Sequence, residues 1–225
     1  MAEPLVRAWN LQRSFGSGQS AVVAVAQASL VIEPHDRIAL IGSSGSGKST
    51  LLHLIAGLDE PTDGTIEWPA LGPIQALRPG PLSIAFQGPS LLAQLTVIEN
   101  VALPLLLTGV SQEHALDAAD ALLERFELDP VAHELPEELS GGQIQRAGLA
   151  RALVGSPKLV LADEPTGQQD RAGRDRVMDA LLATVSELGA ALVVATHDPA
   201  VAERLATRWS MRNGRLTLEQ TTCTC

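Results

Sequence analysis

The sequence predicts an α/β protein with a core of parallel strands, an N-terminal antiparallel β layer and an inserted helical subdomain. Three observations indicate this fold class. A phosphate-binding loop stands between a short apolar run and a helical pattern. Two later apolar runs end in polar or acidic residues, which is typical of buried parallel strands. A stretch with helical spacing precedes these two runs, so we expect the core at residues 1–87 and 155–225 and the helical subdomain at 88–154.

The phosphate-binding loop, or P-loop, fits the pattern G-x-x-x-x-G-K-[ST] at every fixed position, and its residues are Gly42-Ser43-Ser44-Gly45-Ser46-Gly47-Lys48-Ser49-Thr50. Its glycines let backbone N–H groups curl round a polyphosphate, and the next helix points its positive end at the same charge. We expect Lys48 to reach the β- and γ-phosphates, Ser49 to bind Mg²⁺ and Thr50 to support the loop. The alternative is a flexible Gly/Ser loop, which the flanking strand and helix patterns disfavour.

The residues before the P-loop predict the antiparallel β layer. Short alternating or β-branched runs occur between residues 5 and 32, with Gly16-Ser17-Gly18 as a turn, and the apolar run Arg37–Ile41 predicts the strand that leads into the P-loop. Phe15 stands just before the turn, where an aromatic ring can stack on a nucleotide base. An ordinary packed phenylalanine is the alternative, and spacing alone favours it.

After the P-loop the pattern alternates between regular elements and turns. The predicted elements are, in order, an apolar helix through residue 56 that Gly57 stops, a turn at 59–64, a strand at 65–68, a loop at 69–81 and a strand at 82–86.

The helical subdomain is predicted from two N-terminal capping signals. Thr96 and Glu99 form a capping box that opens one helix, and Ser111 begins a second. The second helix has an apolar face, made by Ala115, Leu116, Ala119, Leu122, Leu123 and Phe126.

The core pattern resumes after this subdomain. Its elements are a strand at 159–162, a helix to about residue 188, a strand at 192–196, a helix with Asp198 as cap and Pro199 as first residue, and a hairpin with an Asn213-Gly214 turn.

The residues that directly follow the predicted core strands are Gln87, Asp163, Glu164 and His197. Ligands bind at the carboxyl ends of parallel strands. We expect Asp163 to hold Mg²⁺ directly or through water, Glu164 to orient or deprotonate the attacking water, and His197 to contact the γ-phosphate. Gln87 is expected to bridge the metal or the water to a moving subdomain.

A helix N-cap is the alternative for the two acids, and a polar loop is the alternative for Gln87. The remaining histidines are interpreted as surface or packing residues: His35, His53, His114 and His133.

Composition and the terminal segments disfavour several classes of protein. The chain has 225 residues and a formal net charge of −10, which disfavours binding to nucleic acid. No apolar run approaches the roughly 20 residues that span a bilayer. The N-terminus lacks the basic and apolar regions of a signal peptide, so we expect a cytoplasmic protein. Cys223 and Cys225 lie in a Thr-rich tail, which we interpret as a frayed end and not as a metal or redox site.

The run Leu139-Ser140-Gly141-Gly142-Gln143, followed by Gln145-Arg146 and Ala150-Arg151-Ala152-Leu153, resembles the signature motif of ATP-binding-cassette (ABC) ATPases. The resemblance implies a P-loop NTPase of ABC type with a RecA-like core, and ATP and Mg²⁺ as cofactors. By the same resemblance Phe15 is the A-loop aromatic residue, and Asp170 ends the D-loop of the nucleotide site. Ser140 and Gly142 would cap the γ-phosphate bound in a second ATPase subunit, with Gly141 and Gln143 in the same nucleotide-binding segment. Helix-start amides are suited to that role, so two chains must meet head to tail.

A finer resemblance extends from Phe86-Gln87 to Leu103-Pro104-Leu105. It is similar to the lipoprotein-releasing, macrolide-exporting and antimicrobial-peptide-resistance ATPases, which pair with a separate integral membrane permease. This implies a peripheral position on the inner face of the cell membrane, with the contact around residues 91–107. A cell-division-type signalling ATPase, which switches a membrane partner without transport, is the alternative. A soluble ABC protein acting on DNA or ribosomes is disfavoured because the chain has one cassette and an acidic balance.

The sequence departs from the family pattern at four places. Gln169 stands in the D-loop, Gly167-Gln168-Gln169-Asp170, where the family usually has an apolar residue, which puts coupling between two sites in doubt. Ile144 replaces a customary glutamine. Gly148 lies inside the signature helix, at a cost of about 1 kcal/mol relative to Ala, which is tolerable if a neighbour packs closely there. The loop at 69–81 lacks the usual basic residues, which we interpret as a trimmed surface loop.

Overall fold

The computed structural model describes residues 2–16, 21–88 and 90–219. Cys223 and Cys225 lie outside these residues. The chain forms two compact units, Met1–Leu77 with Ala191–Cys225, and Arg78–Ala190. The boundaries predicted for the core and the helical subdomain stay predictions. Within the described residues, no helix is both long and apolar enough to cross a bilayer.

The regular elements follow one another in the order that the sequence predicts. They are β1 (Val6–Phe15), β2 (Val22–Ile32), β3 (Arg37–Ile41), α1 (Lys48–Ile55), β4 (Asp63–Glu67), β5 (Leu82–Ala85), α2 (Val97–Leu107), α3 (Gln112–Arg125), α4 (Gly141–Leu153), β6 (Leu159–Asp163), α5 (Arg171–Glu187), β7 (Ala191–Thr196), α6 (Pro199–Ala202), β8 (Thr207–Arg212) and β9 (Arg215–Glu219).

The first unit contains the predicted antiparallel β layer. β1 lies between β2 and β4 and pairs antiparallel with both. Along the two longer strands one face is buried, with Val6, Ala8, Leu11, Val25, Ala28, Leu30 and Ile32 nearly without exposed surface. An antiparallel sheet that packs one face on the core and exposes the other to solvent has this pattern of buried residues. The predicted β layer is therefore confirmed.

A second sheet of the first unit carries the strand that leads into the P-loop. β3 pairs parallel with β7 on one side and with β8 on the other, and Ile41 lies opposite both Thr196 and Ser210. β9 then pairs antiparallel with β8. The turn between them has positive φ at Asn213 (48°) and Gly214 (77°), which confirms the predicted Asn-Gly hairpin.

The end of α1 is set by a glycine, as predicted. Ala56 is the C-cap, and Gly57 follows with a φ of 62°, a left-handed conformation that glycine adopts without steric cost. The apolar side of the helix is fully buried, with Leu51, Leu52, Leu54 and Ile55 at 0% exposure.

The second unit contains a parallel strand pair, β5 with β6, and the helices α2 to α5. Both predicted helix starts are confirmed. The side chain of Thr96 accepts from the Glu99 backbone, and the Glu99 carboxylate accepts from the Thr96 N–H at 2.8 Å. The Thr96 N–H and the Thr96 hydroxyl both donate to the Glu99 carboxylate, and these two hydrogen bonds lower the pKa of Glu99. Ser111 accepts from the His114 N–H at the start of α3.

The prediction of an unbroken loop at residues 69–81 is wrong in one detail. Ile74–Ala76 forms a short 3₁₀ turn, closed by the Ala76 N–H donating to the Pro73 oxygen at 2.8 Å. Leu77 directly after it is fully buried. A buried leucine needs a fixed backbone, and one 3₁₀ turn supplies it between prolines that forbid a longer helix.

Gly148 lies within α4 in a position that leaves room for a methyl group. A Cβ there would meet only the Ser90 hydroxyl, at 3.7 Å, which is an ordinary contact. Among the described residues, no neighbour therefore packs closely enough to require glycine at this position. We predict that Gly148→Ala raises the free energy of unfolding by about 0.5–1 kcal/mol, because alanine loses less backbone entropy in a helix. Thermal unfolding should show a midpoint higher by about 1–4 °C, and a lower midpoint would contradict the prediction.

Candidate functional site

The P-loop spans the turn from β3 into α1 and is packed tightly on its neighbours. Gly47 is the N-cap of α1 with a φ of 104°, and a Cβ there would collide with the carbonyl oxygen of Ala24. A Cβ at Gly42 would come within 2.5 Å of the Met211 carbonyl oxygen. Only glycine fits at either position. The P-loop backbone can therefore pack directly against the backbone at Ala24 and Met211.

The turn of the β8–β9 hairpin braces the P-loop. The Gly214 N–H donates to the Ser46 carbonyl oxygen at 3.0 Å, and the Ala26 N–H donates to the Gly214 oxygen at 2.8 Å. The hairpin turn therefore links the P-loop to β2. The sequence predicted the hairpin but not this contact, since no local pattern relates Gly214 to Ser46.

Lys48 closes the loop from within. Its Nζ donates to the carbonyl oxygens of Gly42, at 2.8 Å, and Ser43, at 3.3 Å. The first turn of α1 has neither a side-chain cap nor an acidic residue. Its N–H groups and its positive dipole end therefore favour an anion, and the ammonium group of Lys48 adds a full positive charge beside them.

The register of the second sheet brings His197 to the P-loop. Ile41 lies opposite Thr196 and Ser210 in the sheet. The residues that follow these three positions, Gly42, His197 and Met211, therefore lie at the same edge of the sheet. They line an open cleft of about 500 Å³, formed by Ile41, Gly42, Ser43, His197, Ser210, Met211, Arg212 and Asn213.

Phe15 ends β1 and is not a core residue. The residue is 44% exposed, so the packed interpretation that spacing favours is wrong. The guanidinium of Arg13 lies 4.6 Å from the centroid of the ring. Phe15, the P-loop and His197 all belong to the first unit.

The two strand-end acids of the second unit are buried and are not helix caps. Asp163 is 5% exposed and Glu164 is 7% exposed. The next helix, α5, begins only at Arg171 and is capped by Asp170, whose carboxylate accepts from the Gly173 N–H at 2.7 Å. The N-cap interpretation of Asp163 and Glu164 is therefore wrong.

Glu164 has a left-handed backbone, with φ of 48°. A non-glycine residue in this region is strained and persists only where its surroundings fix it. Here the Gln145 Nε2 donates to the Glu164 carbonyl oxygen at 2.7 Å, and the Gly167 N–H donates to the same oxygen at 3.1 Å. Gln145 was not among the residues predicted for the site, although its place in the signature motif was a usable signal.

The signature residues begin α4. Ser140 is the N-cap and shares a reciprocal capping box with Gln143. The Ser140 hydroxyl donates to Gln143 Oε1 at 2.8 Å, so the predicted phosphate-binding hydroxyl is held in place by its own helix.

The D-loop, residues 167–170, contacts the signature residues of the same chain. Gln169 Nε2 donates to the Gly142 carbonyl oxygen at 2.9 Å, and a Cβ at Gly141 would collide with the side chain of Gln168. The Gln168 N–H also donates to Gln145 Oε1 at 3.2 Å. Gln169, which departs from the family pattern, thus forms a side-chain hydrogen bond that an apolar residue would not form.

Comparison with known proteins decides the family. The ABC transporter family matches residues 25–167, which is more than half of the chain. The chain belongs to the ABC transporter family. It is an ATP-binding subunit with ATPase activity, as the signature motif and the P-loop predicted.

Relatives of this ABC subunit match over most of their length. The lipoprotein-releasing system ATP-binding protein LolD of Legionella pneumophila (strain Paris) is 42% identical over 91% of this chain and 93% of that protein. LolD of Hydrogenovibrio crunogenus is 37% identical over 99% of this chain and 100% of that protein. An uncharacterized ABC transporter ATP-binding protein of Mycobacterium tuberculosis, Rv0986, is 38% identical over 95% of this chain and 89% of that protein.

Solved structures show the same fold. A dimeric post-hydrolysis state of the ATP-binding cassette MJ0796 bound to ADP and Pi has a TM-score of 0.88 and 32% identity, covering 96% of this chain and 98% of that chain. The dimeric structure of MJ0796, a bacterial ABC transporter cassette, has a TM-score of 0.89 at the same identity and coverage. The predicted fold class, an α/β ABC ATPase, is therefore confirmed.

The residues of this ABC subunit fit the nucleotide, and their chemistry is compatible with Mg²⁺. The glycine loop, the uncapped start of α1 and Lys48 together suit a triphosphate. Among the described residues, no three His, Cys, Asp or Glu side chains group as a metal site of their own. Mg²⁺ in nucleotide sites usually takes one or two protein oxygens, with phosphates and water completing the shell. Ser49 and Asp163 are oxygen donors of that kind.

Proposed function

We propose that this chain is the ATP-hydrolysing subunit of a lipoprotein-releasing ABC transporter, acting as a head-to-tail dimer on a separate membrane subunit. The observation that carries the proposal is the similarity to LolD over nearly the whole length of both chains. The alternative is that this chain is a signalling ATPase of the cell-division type. In that case the same ATPase cycle would switch a membrane partner without releasing a lipoprotein.

The P-loop binds the triphosphate in this proposal. Its backbone N–H groups and the start of α1 surround the phosphates, and Lys48 contacts the β- and γ-phosphates. The hydroxyl of Thr50 supports the loop. Ser49 and Asp163 hold Mg²⁺, which when bound neutralises charge on the β- and γ-phosphate oxygens.

Three side chains act on the hydrolysis step. Glu164 orients and deprotonates the attacking water, and Gln145 fixes the backbone from which the Glu164 side chain extends. His197 contacts the γ-phosphate, supported by its place in the cleft beside Gly42 and Ser43. Gln87, exposed just after β5, links the site to the helices that follow it in the chain.

Residues 140–143 and Asp170 complete a site on a second chain in this proposal. The first unit of each chain already supplies one anion site in its P-loop, so the helix start at Ser140 is available to another nucleotide. The MJ0796 cassettes that this chain resembles are dimeric in their structures. Two such chains, head to tail, would each hold ATP between one P-loop and the partner's signature residues.

The membrane partner is proposed to contact the segment from residue 91 to 107. Three leucines there are exposed on the second unit, Leu92, Leu106 and Leu107, the last at 66%. Exposed apolar residues in one segment are suited to protein contact. The chain would then lie on the cytoplasmic face of the membrane, and its net charge of −10 gives no reason to propose a nucleic-acid partner.

Reconstitution with the membrane protein that copurifies with this chain tests the proposal. Vesicles loaded with a lipid-anchored lipoprotein should release it when ATP is added, and vesicles carrying the Glu164→Gln chain should not. ATP turnover by the unaltered complex with no lipoprotein leaving the vesicle would contradict the proposal and support the signalling alternative.

A further inference from the structure

We propose that Arg13, clamped by Asp59, is a positioning residue that fixes the aromatic platform for the nucleotide base. The inference rests on the proposed nucleotide site and concerns two residues to which no role in it is assigned. It starts from the geometry at the end of β1, where the ring of Phe15 has one face covered by a guanidinium.

Arg13 and Phe15 are two residues apart on β1, so their side chains emerge on the same face of the strand. The carbon centre of the guanidinium lies 4.6 Å from the ring centroid, within the range of a cation–π contact. One face of the ring is thus covered. Since Phe15 as a whole residue is 44% exposed, the ring has open surface for a planar ligand such as a base.

Asp59 holds the guanidinium at two points. Arg13 Nε donates to Asp59 Oδ2 at 2.8 Å, and Nη2 lies 2.7 Å from Oδ1. Both side chains are only about a quarter exposed. A two-point pair of this kind fixes the plane of the guanidinium as well as its position, which a lysine ammonium cannot do.

The clamp is tied to the P-loop helix. Asp59 follows the end of α1, where the Leu58 N–H donates to the His53 oxygen at 2.9 Å and turns the chain back. The same turn is fastened to β1, because the Thr62 N–H donates to the Gln12 oxygen at 2.7 Å. The aromatic platform therefore takes its position from the helix that binds the phosphates.

The platform contacts only the base, so its loss should affect nucleotides and not bare phosphate chains. We predict that Arg13→Ala weakens ATP binding about 3- to 10-fold and weakens binding of inorganic tripolyphosphate much less, only through the lost charge. The KM for ATP should rise by the same factor with kcat unchanged, because a base contact is the same in the ground state and the transition state. Calorimetric titration with both ligands, together with steady-state ATPase kinetics, measures this.

Asp59→Asn separates positioning from simple charge attraction. Removing this carboxylate makes the neighbourhood of the site more positive, so electrostatics alone would tighten binding of ATP and of tripolyphosphate. The clamp predicts the opposite sign for ATP, a weakening comparable to that of Arg13→Ala. Arg13→Lys keeps the charge and should restore only part of the ATP affinity.

Arg7→Ala is the matched control, since Arg7 makes the equivalent contact with Trp9 on the same strand, at 5.7 Å. It should leave both affinities unchanged. Equal weakening of ATP and tripolyphosphate by Arg13→Ala, or no weakening of either, would overturn the clamp. Failure of the unaltered protein to bind ATP at all would instead contradict the proposed nucleotide site.

Discussion

Glu164→Gln is expected to keep ATP binding and to reduce ATP hydrolysis by about 10²- to 10⁴-fold, the usual contribution of a general base. The amide has the shape of the carboxylate but cannot accept a proton from water. The backbone of the residue should stay in its left-handed conformation, because the Gln145 side chain holds the Glu164 carbonyl oxygen and not the carboxylate. The loss should therefore lie in kcat, which phosphate release under saturating ATP measures.

A surface variant controls for the loss of one negative charge. Glu124→Gln changes an exposed glutamate of α3 in the same second unit and should hydrolyse ATP at the parent rate. Parent-rate hydrolysis by Glu164→Gln, with normal folding, would show that Glu164 is not the base.

Lys48→Ala should have the second largest effect, on nucleotide binding itself. Lys48 is 6% exposed and holds two carbonyl oxygens of the P-loop, so its loss removes both a charge beside the phosphates and a brace of the loop. A hydrogen bond to a charged group contributes about 1.5–3 kcal/mol, so ATP affinity should fall roughly 10- to 150-fold. Titration with ATP measures the affinity, and hydrolysis should be lost in parallel.

Lys158 is the only other lysine of the sequence and gives the matched control. It is exposed just before β6, and Lys158→Ala should bind and hydrolyse ATP normally. If Lys48→Ala binds ATP as tightly as Lys158→Ala, the P-loop assignment is wrong.

The sequence predicted those parts of the fold that depend on neighbours along the chain. The strand before the P-loop, the helix starts at Thr96 and Ser111, and the Asn213-Gly214 turn each depend on residues within a few positions of one another. Their chemistry is local, so a pattern identifies them. The family signature indicated the family, which the family match confirms, and the roles of the site residues stay predictions.

The contacts that hold the site together could not be predicted in the same way. Arg13 and Asp59 are 46 positions apart, and Gln145 and Glu164 are 19 positions apart. Nothing in either segment indicates its partner, because pairing follows from how strands and helices pack. The packed interpretation of Phe15 was wrong for the same reason. Whether a residue at the end of a strand is exposed depends on which distant segments pack against it.

In the proposed dimer, ATP is held between the P-loop of one chain and the residue 140–143 segment of another. Light scattering of the Glu164→Gln protein with saturating Mg-ATP tests it most directly, compared with the same protein carrying Ser140→Arg. We predict twice the chain mass for Glu164→Gln and a single chain, still binding ATP, for the double variant. A Glu164→Gln protein that stays a single chain with ATP bound, or a double variant that pairs equally well, would contradict head-to-tail pairing of two chains over ATP.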